Sequence, residues 1–144
     1  LPLAQASQQT SLAAVAQAKL SYQAVNADSS AEELLAVSQD IMRALTQVAS
    51  CLDDVFQVLQ KTVISASLSQ TALDSLVTNV QVDQTTLSSA KTSVQTAQAN
   101  LTNKQLYYQN QIDKARNSVK SAQDALNLAQ AQLTLKKAGP QSYD

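Results

Sequence analysis

Glycine, proline and aromatic residues are scarce in this sequence of 144 residues. Its one glycine, Gly139, and its two prolines, Pro2 and Pro140, all lie near the ends. Because these are the preferred residues of tight turns, the interior is poorly suited to the hairpins of a β-sheet. Aromatic residues make up 3% of the chain, too few for a thick globular core. The apolar residues are mainly alanine, leucine and valine, which suit thin seams between helices.

The residues that usually carry catalysis are also missing. There is no histidine, the commonest general base and metal ligand. Cys51 is the only cysteine, and without a histidine it lacks the usual activating partner. A single glycine excludes a glycine-rich phosphate loop. We therefore expect a protein that is not an enzyme and that binds no cofactor or metal.

The charge is nearly balanced. The sequence has ten Lys and Arg and eleven Asp and Glu, which gives a net charge of -1. No stripe of basic residues indicates a nucleic-acid-binding surface. No apolar run approaches the roughly 20 residues that cross a bilayer. We expect protein partners, no nucleic acid and no membrane insertion by this segment. The chain begins at Leu1 without a signal-peptide pattern, and we expect it to be part of a larger protein.

The pattern predicts one all-α domain over residues 1–144, with helices at 3–26, 31–65 and 70–137. The first helix is rich in alanine and ends in a polar stretch that favours turns. Ser30 and Glu33 then form a capping box, which starts the second helix. The apolar face of this second helix is wider than a two-stranded coiled coil needs, so it should contact more than one neighbour.

The third helix has the clearest periodicity, with apolar residues at alternating steps of three and four. Asp83 and Lys104 are polar residues on the same line, and one irregular step at Lys104 joins two regular runs. Alanine alternates with larger residues, which allows helices to approach closely. Unbroken, this helix would be on the order of 100 Å long. The predicted packing seam consists of Leu73, Leu76, Val80, Leu87, Val94, Leu101, Ile112, Val119, Leu126 and Leu133.

A seam of this length needs a mate, because an isolated helix is not stable by itself. The sequence favours an elongated antiparallel helical hairpin, a coiled coil of three long helices. The first two helices form one arm, jointed or folded back near Asp28. The alternative is a four-helix bundle in which the third helix breaks among Asn100, Asn103 and Asn110. The mate of the seam can come from the same chain or from a second copy in a homo-oligomer.

Residues 86–138 resemble the α-helical hairpin of periplasmic adaptor proteins, the membrane fusion proteins of efflux and secretion systems. The resemblance rests on the recurring alanine and leucine spacing at Ala122, Ala125, Leu126, Ala129 and Leu133. It implies a structural spacer that links an inner-membrane transporter to an outer channel or to other adaptor copies during export. It also implies an extracytoplasmic location, in the periplasm or cell envelope. The Arg-Leu-Ser/Thr tip signature of some adaptors is not found, so no docking residue is assigned.

Two other functions fit the same helical pattern. One is a helical surface protein, such as a secretion tip or an adhesin stalk, in which the wide face of the second helix builds a compact bundle. The other is the extracytoplasmic sensing bundle of a receptor.

Overall fold

A computed structural model describes residues 2–65 and 68–139. Three helices account for most of them: α1 (Pro2–Gln23), α2 (Ala31–Gln60) and α3 (Gln70–Ala138). Within the described residues there is no β-strand, only an isolated bridge between Ser65 and Leu68. The predicted all-α fold class is therefore confirmed.

The chain divides into two compact units, Leu1–Thr102 and Asn103–Asp144. Helix α3 contributes to both units. It is helical throughout, so the break among Asn100, Asn103 and Asn110 that the four-helix alternative requires does not occur.

Helix α1 ends three residues earlier than predicted because polar side chains compete for the backbone after Gln23. The Asp28 amide donates to the Asn26 side-chain oxygen at 2.8 Å, and the Asn26 amide donates to the Ser29 hydroxyl at 3.0 Å. Such local bonds offer the chain an alternative to another helical turn.

Helix α2 begins at the predicted capping box, which is confirmed. The Ser30 hydroxyl accepts from the Glu33 amide at 3.2 Å, and the Glu33 carboxylate accepts from the Ser30 amide at 2.6 Å. The two bonds satisfy backbone donors that the first turn would otherwise leave unpaired.

Replacing Ser30 by alanine should therefore destabilise the first unit by about 1 kcal/mol, the usual effect of losing a serine cap. The measurement is urea unfolding followed by circular dichroism. Ser50→Ala, on an exposed position of the same helix, is the matched control and should leave the midpoint unchanged or raise it slightly, because alanine is the better helix former. Equal effects of the two substitutions would show that the cap contributes nothing beyond helix propensity.

Helix α2 ends at Gln60, five residues before the predicted end. The next residues include Thr62, Val63 and Ile64, and three β-branched side chains in a row disfavour a helix. The Thr62 hydroxyl donates to a carbonyl of the last turn, that of Val58, at 2.7 Å. Residues 66 and 67, part of the predicted reversal, lie outside the described residues.

Helix α3 ends as the sequence predicts. Gly139 follows the last helical residue with φ at 71°, the left-handed conformation that glycine adopts without strain. Lys136 and Lys137 lie in the last turn, where cations interact favourably with the helix dipole.

Helices α1 and α2 pack antiparallel, as a hairpin folded back at the turn around Asp28. Near the start of α1 the Ser7 hydroxyl donates to the Asp54 carboxylate, and near its end the Ser21 hydroxyl donates to Asp40 at 2.7 Å. Residue numbers thus rise along α1 as they fall along α2. This settles the choice between a jointed and a folded-back arm.

Helix α2 also packs antiparallel to the first part of α3. Gln84 donates to Asp53 at 2.8 Å, and Gln98 donates to Ser38 at 3.0 Å. Asp53 and its neighbour Asp54 accept from different helices, because adjacent residues on a helix point in different directions. The prediction that the second helix contacts more than one neighbour is therefore confirmed.

The interior of the first unit is thin. Among its described residues the buried apolar ones are Ala18, Ala44, Leu73 and Val80, and no large side chain of these described residues is completely removed from solvent. Ala18 of α1 and Ala44 of α2 line the same groove between their helices. Small residues at this contact permit close approach of the two backbones, as the composition predicts.

Candidate interaction surface on helix α3

In the first unit, the residues of α3 that are shielded from solvent follow one heptad register. Leu73 and Val80 are buried, and the others are half-buried. With the adjacent Ala90 set aside, the spacing alternates strictly between four and three, the pattern of a coiled-coil seam. The shielded positions are Leu73, Val77, Val80, Gln84, Leu87, Ala90, Lys91, Val94, Gln98 and Leu101.

This register shares every seventh residue with the predicted seam and differs at the positions between. Leu73, Val80, Leu87, Val94 and Leu101 lie in the seam of the structure, as the sequence predicted. The predicted intermediate position at Leu76 is 45% exposed instead, and the seam passes through its neighbour Val77.

The same shift of one residue recurs further along. Asp83 is exposed, and Gln84 takes the inner position where it bonds α2. Ala97 is exposed, and Gln98 takes its place in the same way. Sequence reasoning missed these glutamines because it preferred apolar residues for the seam. Instead, α3 faces α2 with the side that carries Gln84 and Gln98, because their side-chain amides find hydrogen-bond acceptors on α2.

A signal for this register exists in the sequence. Counting back by sevens from Ile112 reaches residues 105, 98, 91, 84 and 77, the intermediate positions that the structure shields between 77 and 98. One uninterrupted heptad repeat therefore covers the sequence from Leu73 to Leu133. The irregular step expected at Lys104 is not needed.

In the second unit the same repeat defines an apolar line that we call the distal stripe. Among its members, Ile112 is 46% exposed, Val119 70%, Leu126 51% and Leu133 54%. These four complete the predicted packing seam, and within the described part of the second unit nothing covers them. The distal stripe comprises Tyr108, Ile112, Ala115, Val119, Ala122, Leu126, Ala129 and Leu133.

All described residues from 103 to 139 are exposed. Single exposed apolar residues are ordinary on a protein surface, but a contiguous apolar patch marks an interaction site. Here the apolar residues recur at seam spacing over more than three heptads. The distal stripe is therefore the candidate functional site of the chain.

The borders of the distal stripe are polar and carry few charges. Arg116 lies beside it and pairs with Asp113 at 3.8 Å, an exposed ion pair on one helical turn. Arg116, Lys120 and Asp124 line an open groove together with Ile112 and Val119 of the stripe. The arrangement is an apolar centre with a polar rim, as in protein–protein interfaces.

The described residues hold no cluster of three or more histidine, cysteine, aspartate or glutamate side chains that could bind a metal ion. Within the same residues, none of the helices is both long and apolar enough to span a membrane. Cys51 lies half-buried in α2 as a free thiol.

Comparison with known proteins finds no matching family model, no matching curated protein and no matching solved structure. The resemblance of residues 86–138 to adaptor hairpins therefore rests on the spacing of their own alanines and leucines.

Proposed function

We propose that this chain is a structural coiled-coil spacer of a membrane fusion protein, also called a periplasmic adaptor. In this role it links an inner-membrane transporter to an outer partner in export and acts outside the cytoplasm. Its function is to keep the transporter and the outer partner a fixed distance apart and to present helix surfaces to other proteins.

One observation carries the proposal: α3 is a single helix of 69 residues, and only its first part is packed against α2. A bundle that served only its own stability would have no use for residues 103–138. A helix rises about 1.5 Å per residue, so a continuous helix spans a given distance without any further folded structure. Its seam-spaced apolar residues supply a surface for a protein partner.

A helical surface protein, such as a secretion tip or an adhesin stalk, is the second candidate. The observation that favours it is the return of α1 along α2, shown by the pairs Ser7–Asp54 and Ser21–Asp40. A plain two-arm hairpin has no need of a third packed helix, whereas a compact bundle does.

Labelling of a cysteine by a maleimide, in the cells that naturally produce this protein, distinguishes these two functions. Cys51→Ser removes the native thiol, and Ser121→Cys then places one thiol on an exposed position of α3 away from the distal stripe. The reagent is a maleimide that cannot cross membranes. An adaptor should be labelled once the outer membrane is permeabilised, whereas a surface protein should be labelled in intact cells. The control, Cys51→Ser alone, should remain unlabelled.

The spacer role is tested in the same cells by deleting residues 124–130, which leaves the thiol introduced at position 121 in place. This removes one heptad, about 10 Å of helix, and keeps the repeat in register. Export should fall strongly while the amount of protein and its labelling remain unchanged. Labelling only after the inner membrane is opened, or export that tolerates the deletion, would contradict the proposal.

A further inference from the structure

The distal stripe has an internal order that suggests what covers it. Its larger residues are Ile112, Val119, Leu126 and Leu133, each seven residues from the next. The positions between them are alanine three times in succession, at Ala115, Ala122 and Ala129. The stripe thus has one bulky and one small position in each heptad.

This order is self-complementary when two such helices run in opposite directions. Reversing one helix brings the first seam position of a heptad against the second seam position of the other. Val119 then meets the partner's Ala122, and Leu126 meets the partner's Ala115. From residue 112 to residue 129 each layer holds one bulky and one small residue, so the separation of the helices is uniform and close packing is preserved there.

Ile112 meets the partner's Ala129 in the same way. At each end of the pair Leu133 meets the partner's Tyr108, so the two terminal layers each hold two bulky residues. A parallel pair would instead alternate layers of two bulky residues with layers of two alanines. A pair of straight helices cannot be wide at one layer and narrow at the next without leaving voids.

The charges along the borders of the stripe also permit an antiparallel pair. Between Tyr108 and Leu133 the positions that flank the seam carry a single charged residue, Arg116. In the antiparallel register Arg116 lies beside the partner's Gln123, so no like charges oppose each other. The helix dipoles also run in opposite directions, which is the favourable arrangement.

We propose that residues 108–133 of α3 form an antiparallel two-stranded coiled coil with the same residues of a second copy of this chain. The dyad of the pair lies between Lys120 and Ser121. This interface goes beyond the proposed function and does not depend on it, since it is a property of the isolated chain.

The first test measures the mass of the whole chain by sedimentation over a micromolar concentration series. We expect twice 15.3 kDa for the native chain. Val119→Glu places a charge in the central layers and should return the mass to 15.3 kDa, because a buried charge without a partner is costly. Asn117→Glu adds the same charge on the opposite, exposed face and should leave the dimer intact.

The second test determines direction by disulfide formation in the Cys51→Ser background. A mixture of Ile112→Cys and Ala129→Cys chains should form the mixed disulfide, identified from its linked peptides. Ile112→Cys alone should not cross-link, because the two residues 112 of an antiparallel pair are about 25 Å apart at 1.5 Å per residue. A disulfide requires Cα atoms within about 7 Å.

Several outcomes would overturn the inference. A native chain that stays monomeric, or forms a larger assembly, contradicts the dimer. Cross-linking of Ile112→Cys with itself, without the mixed product, contradicts its direction. Since both tests use purified protein, their failure leaves the adaptor hypothesis standing, and failure of the cellular experiments leaves this interface standing.

Discussion

Val80→Asp should abolish the cooperative unfolding of the first unit. Val80 is 9% exposed on the side of α3 that faces the bundle. An aspartate there would bury a carboxylate without a compensating cation, which destabilises proteins by several kcal/mol. The described part of the first unit has a thin interior with no completely buried large side chain, so a loss of this size should exceed its reserve of stability.

The measurement uses Cys51, the chain's only thiol, which lies half-buried in α2. Its rate of reaction with a maleimide reports opening of the first unit separately from the helix of the second unit. Val80→Asp should raise that rate by orders of magnitude and remove the urea transition. Val82→Asp is the control, since Val82 is 57% exposed and takes the same chemical change two residues away. Similar rates for the two variants would contradict the assignment of Val80 to the seam.

Leu73→Ala should lower the free energy of unfolding of the first unit by about 2–4 kcal/mol, within the range found for truncating a buried leucine. Leu73 is 8% exposed, so the substitution removes buried methyl groups and leaves a cavity. Leu76→Ala makes the same change on a side chain that is 45% exposed and should cost no more than about 0.5 kcal/mol. Urea unfolding followed by Cys51 labelling provides both values.

The contrast between these two leucines decides the register of α3. If Leu76→Ala lowers the free energy of unfolding as much as Leu73→Ala does, the seam passes through Leu76, as the sequence pattern predicts. In that case Gln84 and Gln98 do not pack against α2. If Leu76→Ala is nearly neutral, both glutamines belong to the seam.

The helices and several of their ends could be predicted from local chemistry. The Ser30–Glu33 capping box and the terminal Gly139 act through bonds and dihedral angles within a few residues, so nearby sequence is sufficient to recognise them. The end of α2 was placed five residues too late because Val63 continued the apolar period. Val63 lies outside the helix instead, because three β-branched residues in a row disfavour helical structure, and its side chain is 82% exposed.

The sequence predicts the residues of the distal stripe as part of a continuous seam, but it does not predict that they are exposed to solvent. Ile112 and Leu133 have the spacing of buried residues, and spacing alone does not say whether a partner is present. The folding-back of α1 onto α2 at Asp28 joins residues far apart in the chain, such as Ser7 and Asp54, and spacing within one helix does not reveal such a contact.

By itself, the sequence determined that this protein is built of helices, where α2 begins and α3 ends, and that α3 repeats every seven residues. Only the tertiary structure decided which of two adjacent lines of residues forms the seam. Neighbouring residues on a helix lie about 100° apart, so Leu76 and Val77 both satisfy the repeat. The choice went to the side on which Gln84 and Gln98 find acceptors on α2, a relation between residues far apart in the chain.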